Sequence, residues 1–537
     1  MIDVILHNAR IHTMDFATPT ASAVAIIGER IVAVGANDDI LPLASANTTI
    51  YNLNGRFVMP GMIDAHIHWE NTSRARHAVD LWQVPSKAEA LKRIAAKHAQ
   101  LPAGEWLTGH GWAQDIWEDN DRQFPTRDDL DAITGDRPAY FRGKSGHVGW
   151  ANSAALRIGG IDRDTPDPIG GKIVHDDDGE PNGILFEAPA MIPVDEKIPV
   201  PSAEKLADWM AEAQAEAWRC GLVGIHDYDN PSAMVALQRL RERGELGLRV
   251  VKQINFEWID HAHELGIRSG FGDTWLRIGG LKLFADGALG PRTAYMIEPY
   301  EGEPDNYGVV VVDKDTMYTA ASKASKLGLA STIHAIGDRA VHDVLDIFET
   351  IRQEEQQNQI PRSARRHRIE HVQIIHPDDV GRLAELDIIA SMQPIHAASD
   401  WEMADRYWGD RAAYSYQWRL QLDAGATLVF GSDAPIDPFD PRMGLYAAIT
   451  RQDLNGHPAD GWYPDGRLTL DDALHAYTVA PAYAAGLETQ QGKLAQGYLA
   501  DLIVADDAPH DLNPQALLDW SIVGTMVGGI WRHREFD

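Results

Sequence analysis

The feature that most constrains this chain is a recurrence of short, almost unbroken apolar runs. They lie at residues 57–68, 222–228, 248–255, 276–286, 329–337, 367–373, 388–395 and 427–432. Strands that are apolar on both faces, rather than alternating, belong in a parallel sheet covered on both sides. Between or before them, residues 202–219, 314–327, 340–355 and 377–386 carry the periodicity of amphipathic helices. Eight such units predict a (β/α)8 barrel. No strong sequence repeat supports the count, which rests on the pattern alone.

At 537 residues the chain is too long for one ordinary domain. Residues 23–27 and 31–34 flank Gly28-Glu29-Arg30 and predict a hairpin. The other end has similar β-rich pieces at 499–505 and 521–531. Neither set builds a core alone, so the two ends are expected to pair in one small β domain of residues 1–57 and 492–537. The barrel would then comprise 58–104 and 191–491. The gap between the first two strands, roughly 150 residues, exceeds any ordinary βα loop. It predicts an inserted subdomain at 105–190, with strand-like segments at 105–111, 137–142 and 170–186. An insertion after a barrel strand is expected above the C-terminal face, where barrel active sites lie.

Composition narrows the function. Hydrophobic content of 44% and charged content of 24% are those of a soluble globular protein. The 48 basic and 79 acidic residues give a net charge of −31. Such a surface repels phosphate backbones and anionic lipid, so neither nucleic acid nor membrane is expected as a partner. Cys220 is the only cysteine, which excludes an intramolecular disulfide and fits a reducing cytoplasm. The start has no basic, apolar leader pattern, and no apolar run approaches the ~20 residues that span a bilayer.

Chemistry-bearing residues gather at the ends of the predicted strands. His66 and His68 stand two apart, so on a strand both imidazoles leave the same side and make half of a metal site. Lys282, His334, His371 and Asp433 lie near the ends of four other runs. Each alone has an ordinary reading, such as a cap or turn residue for the aspartate. A barrel would converge all six on one axis.

These segments resemble the amidohydrolase superfamily, and within it the YtcJ-like branch known as amidohydrolase family 3. The resemblance rests on Pro60-Gly-Met-Ile-Asp64-Ala-His66-Ile-His68, Lys282-Leu-Phe-Ala-Asp286-Gly287, His334-Ala-Ile-Gly-Asp338-Arg339-Ala340, Arg368-Ile-Glu-His371, Gln393-Pro-Ile-His396 and Gly431-Ser-Asp433-Ala-Pro435. Gly146-His147 followed by Trp150-Ala-Asn152-Ser153 in the insertion looks like the same branch. The resemblance implies a distorted (β/α)8 barrel beside a β-sandwich made from both termini, and a metal centre of one or two ions, usually zinc. His66, His68 and Asp433 would hold one ion and His334 and His371 a second. Lys282 would bridge them as a carbamate; the alternative is an unmodified lysine paired with a carboxylate such as Asp286.

The activity implied is hydrolysis of a C–N bond, as in an N-acyl or N-formyl amide, by a water that zinc acidifies to hydroxide. Asp433 would act as proton shuttle, and His396 or His147 would steady the oxyanion. The same scaffold also serves deaminases and cyclic-amide hydrolases. A non-catalytic structural member would be expected to lack ligands, and here all six positions are filled. The substrate is expected to be a small molecule, and a homodimer is left open. Trp69 follows the metal motif, and Trp106, Trp112, Trp117 and Trp150 crowd the insertion. They either line an aromatic substrate cleft or pack the insertion's own core. Arg292 and Arg339 either receive a substrate carboxylate or balance neighbouring acids.

Overall fold

The fold is taken from a computed structural model, described for residues 1–82, 84–114, 117–120, 123–144, 148–168 and 171–536. One sheet of eight parallel strands carries the predicted barrel. In chain order its strands are β1 (Met62–Ile67), β2 (Leu222–Asp227), β3 (Arg249–Asn255), β4 (Leu276–Phe284), β5 (Ala330–Ala335), β6 (Arg368–His371), β7 (Ile389–Met392) and β8 (Leu428–Phe430). Each pairs with the next in sequence. The two end strands meet just past β8, where Asp433 N–H donates to His66 C=O at 2.7 Å and His68 N–H to Ala434 C=O at 2.9 Å.

Helices cover the strands much as their periodicity predicts, over Ala203–Arg219, Lys314–Leu327 and Asp338–Gln357. The expected helix at 377–386 is instead a 3-10 turn, Pro377–Asp379, followed by a short helix, Arg382–Leu386. Pro377 can open a turn but donates no hydrogen bond, and Gly381 separates the two pieces.

The first apolar run proves to be two strands. Phe57–Pro60 belongs to the terminal β domain, and β1 begins after Gly61. A Cβ at Gly61 would stand 2.1 Å from Val223, so the crossing into the barrel needs a glycine. Phe57–Pro60 pairs with the C-terminal strand Leu502–Ala505, Val58 opposite Val504. The chain ends therefore share one six-stranded sheet, and a four-stranded sheet contains Val4–His7 and the hairpin Ala23–Ile27/Arg30–Gly35. Leu6, Ile11, Val24, Val58, Leu502 and Met526 pack in one core. A buried ion pair ties this domain to the barrel: Arg249 of β3 donates to Asp501 at 2.5 and 2.9 Å.

Residues Thr72–Trp209 form a separate compact unit, larger than the expected 105–190. The extension is real structure, because Val79–Asp80 is the edge strand of this unit's own six-stranded sheet and Lys87–His98 packs a helix against it. Trp112, Trp117 and Trp150 lie in the unit's hydrophobic core, and Trp106 packs partly buried against a second cluster. Of the two readings of these tryptophans, the structure supports core packing. Among the described residues, no helix is long and apolar enough to cross a membrane.

A buried polar network locks the N-terminal end of β6. Glu355, on the helix Asp338–Gln357, accepts hydrogen bonds from His367 Nε2 (2.9 Å), Ser325 Oγ (2.6 Å) and Arg352 Nη1 (2.7 Å). Burial opposes ionisation of Glu355, but these donors outweigh it and bring its pKa from 4.5 to about 2. A depressed carboxylate stabilises the fold above the unfolded pKa and loses that contribution as pH falls from about 4.5 towards 2. Glu355→Gln is therefore expected to lower stability at neutral pH by roughly 3 kcal/mol. It should also flatten the acid limb, and denaturant midpoints at pH 7, 4.5 and 3 measure both effects.

Candidate metal centre

The barrel brings together side chains that the sequence holds hundreds of residues apart. His66 sits near the end of β1 and His68 just past it, so both rings leave the same side of the strand. His66 Nε2 and His68 Nε2 lie 3.3 and 3.2 Å from Asp433 Oδ1. His371, His396 and Asp433 form a second trio of ligand atoms within 4.8 Å of one another. The His334 ring lies 4.5 Å from that of His371, centroid to centroid.

Three backbone positions here are left-handed without being glycine: His371 (φ 79°), Val372 (φ 43°) and Asp433 (φ 59°). Such strain persists only where surrounding contacts over-determine it. Asp64 supplies those contacts at Asp433. Its carboxylate accepts His66 N–H (3.0 Å), Ser432 N–H (3.1 Å) and Ser432 O–H (2.6 Å). The fit leaves no room for a side chain at Gly431, whose Cβ would stand 2.4 Å from His66 N.

Each ligand-type histidine has one ring nitrogen committed to an acceptor, which leaves the other for a metal ion or a proton. His66 Nδ1 donates to Glu370 (2.6 Å), His68 Nδ1 to Asp229 (3.2 Å), His371 Nδ1 to Gln393 (2.8 Å) and His334 Nε2 to the Gly287 carbonyl (2.9 Å). His66 Nε2 is buried without a hydrogen-bond partner. Imidazoles fixed by an outer acceptor, with the inner nitrogen aimed at a shared carboxylate or left unpartnered, are what a metal requires of its ligands. Tyr228 completes the support by stacking on His66 at 3.8 Å and donating to Glu370 at 2.9 Å.

The electrostatics divide the histidines. Burial opposes charge on His68 and His396, but hydrogen bonds to Asp229 and Asp433, and to Asp433 and Asp437, raise both to about 10. Burial and the Lys282 charge hold His334 down at about 3, and burial with His334 holds His371 well below its ordinary range. The carboxylates thus draw positive charge to nitrogens around Asp433, and a dication competes with protons for those lone pairs. Glu370, although buried, is kept well below the carboxylate range by Arg368 and His66. The residues present fit a metal.

The other expected site residues lie differently. Lys282 Nζ is buried between aromatic rings, 4.9 Å from Tyr228 and 4.4 Å from Phe284. Asp286 is not its counter-ion, for its carboxylate accepts the N–H groups of Tyr295, Ile336 and Gly337. Trp69 is 1% exposed and packs edge-on to Phe439, so it braces the strand end and offers no face to a substrate. Arg292 is paired with Glu303 at 2.9 Å and Arg339 with Asp343 at 3.3 Å. His147 lies outside the described residues. The sequence reading assigned no role to Glu370 or Gln393, though both stand inside the motifs it singled out, nor to Asp229, Tyr228 or Asp437. Glu370 and Gln393 are polar residues inside apolar runs, Tyr228 ends one and Asp229 follows it, and Asp437 carries no such local signal.

The chain matches the model of a protein family, described as the amidohydrolase family, over residues 49–530. It belongs to the amidohydrolase family. Among its relatives is the Bacillus subtilis protein named "Putative amidohydrolase YtcJ", 32% identical over 492 residues, 90% of each chain. The N-substituted formamide deformylase of Arthrobacter pascens is 29% identical over 99% of this chain and 98% of its own. A solved structure, an uncharacterized metal-dependent hydrolase from Pyrococcus furiosus, superposes with a TM-score of 0.78 at 30% identity, covering 95% of this chain and 99% of the other. This amidohydrolase is accordingly an enzyme acting on carbon–nitrogen bonds, of the YtcJ-like branch.

Because Gln393 fixes the His371 ring, Gln393→Ala is expected to weaken metal retention about 10–100-fold while leaving the fold intact. Chelator competition followed by elemental analysis reads the first, and circular dichroism the second.

Proposed function

We propose that this amidohydrolase is a zinc enzyme that cleaves the C–N bond of an N-acyl or N-formyl amide on a small substrate. The observation that carries the reading is the convergence of His66, His68, Lys282, His334, His371 and Asp433 at the C-terminal ends of barrel strands, with the imidazoles pre-oriented. The Pyrococcus relative supports the metal, and the Arthrobacter deformylase supports the amide class. His66, His68 and Asp433 would hold one ion, and His334 and His371 a second.

Lys282 would bridge them as a carbamate. Burial brings its amine down to about 8, so a fraction is neutral at physiological pH. A neutral amine adds to CO2 and loses one proton, which converts a cation without a lone pair into an anionic oxygen ligand.

When bound, the metal supplies an acidified water and a Lewis acid for the substrate carbonyl. The chain's own residues move the protons. Burial opposes ionisation of Asp433, but His66, His68 and His396 outweigh it and hold its carboxyl well below the usual range. It is therefore an ionised acceptor at neutral pH, able to take the proton of the attacking water and hand it to the departing amine. His396 Nδ1 is held by Asp437 at 2.7 Å, which aims Nε2 at Asp433 Oδ2, 3.5 Å away. From there it would donate to the developing oxyanion.

The deciding experiment is a screen of metal-loaded protein against N-formyl and N-acyl amines, cyclic amides and amino-heterocycles. Release of an acid and an amine is expected, formate from the N-formyl set. Ammonia as the sole product would replace this reading with a deaminase, and no turnover of any amide would overturn it. Chelation should abolish activity, and zinc should restore it. Asp433→Asn should lower kcat by about 10²–10⁴-fold at matched metal content. Lys282→Ala should lose activity and partly regain it with short carboxylic acids plus metal, which occupy the place of the carbamate.

A further inference from the structure

A second set of ligand-type side chains lies outside the barrel chamber. His12 ends the strand Arg10–His12, Asp471 stands in the first turn of the helix Leu470–Tyr477, and His510 is in the 3-10 turn Pro509–Asp511. These three distant segments bring two imidazoles and one carboxylate together, their ligand atoms all within 4.8 Å of one another. We propose that His12, Asp471 and His510 form a peripheral site for a divalent transition metal such as Zn2+, which clamps the two chain ends onto a barrel helix.

The donor set selects the class of ion. Two imidazoles and a carboxylate suit zinc, cobalt, nickel or copper, whereas magnesium and calcium demand oxygen ligands. The geometry is close to what such an ion needs. Zinc bonds of about 2.0–2.2 Å place tetrahedral ligands roughly 3.3–3.6 Å apart. His510 Nε2 lies 2.7 Å from Asp471 Oδ1, and the His12 and His510 rings are 5.7 Å apart. Asp471 and His510 are exposed, so small rotamer changes can open the 2.7 Å contact and bring the three ligand atoms to that spacing.

His12 is the member that points to a ligand. It is partly buried, with Phe57 edge-on to its ring at 6.4 Å. Among the described residues, no group hydrogen-bonds to either of its ring nitrogens. Burial lowers its pKa, against the pull of Asp471, so the imidazole keeps its lone pair at neutral pH. The nearby Asp511 does not compete as a ligand, because Arg10 pairs with it at 2.8 Å. A surface groove lined by Arg10, His12, Thr20, Phe57 and Ala508 opens His12 to solvent.

The test counts zinc in the tag-free holoenzyme. Wild type and His12→Ala/His510→Ala are dialysed against a series of buffered free-zinc concentrations and analysed for metal, and melting is followed at each concentration. Wild type is expected to hold one zinc equivalent more than the double variant. Its Tm should rise more steeply with free zinc, over the range in which that equivalent binds, than the Tm of the variant, in which only the barrel site responds, as mass action requires. Asp471→Asn, a near-isosteric surface change, should weaken the extra equivalent at least ten-fold, and it carries the same test if the double variant folds poorly. Equal zinc content and equal melting response in wild type and variants would overturn the proposal and leave the trio a surface hydrogen-bonded cluster. Turnover plays no part in the readout, so the outcome is independent of the substrate of the barrel.

Discussion

The structure turns on the seam where the first barrel strand meets the eighth. Asp64 sits in that seam with its carboxylate shared between His66 N–H and both donors of Ser432. The same few bonds do two things. They join the ends of the eight-stranded sheet, and they hold Asp433 in a left-handed backbone that brings its carboxylate within about 3.3 Å of two imidazoles on the opposite strand. Ring closure and ligand placement are one constraint here. The cost is burial of an acid, and Asp64 shows it, since burial raises its pKa to about 7 despite three hydrogen bonds.

Around that seam the barrel chamber is built in layers. The inner nitrogens and Asp433 face one another, and behind them Glu370, Asp229 and Gln393 fix the rings. Behind these, Arg368 pairs with Glu370 and reaches the Ala65 carbonyl and Ser391, while Lys252 pairs with Asp227, whose other oxygen accepts Trp69 N–H. Every buried carboxylate in this stack has a cation or several N–H donors, which is what lets so much charge sit inside a barrel. Lys282 stands apart from this pattern, with aromatic faces for neighbours.

Much of this is legible in the sequence. Each of the eight apolar runs contains one barrel strand, because a strand covered on both faces has to be apolar throughout. His-x-His announced two imidazoles on one side, because strand periodicity is two. What local pattern could not separate was the run 57–68, where one unbroken apolar stretch serves two sheets and turns at Gly61. The true extent of the unit Thr72–Trp209 was hidden for a similar reason. Its edge strand Val79–Asp80 is two residues long and is defined by its partner, not by its composition.

By itself, then, the sequence determined the fold class, the family and the residue types of the metal centre, because these follow from periodicity and from motifs that are local in the chain. The tertiary structure decided the roles. It decided that Glu370 and Gln393 act behind the ligands, that Asp286 serves backbone amides rather than Lys282, and that Trp69 braces a strand end. It also set His12, Asp471 and His510 side by side. Those outcomes depend on which groups meet across hundreds of residues, and a hydrogen bond or an ion pair exists only at a distance that folding sets.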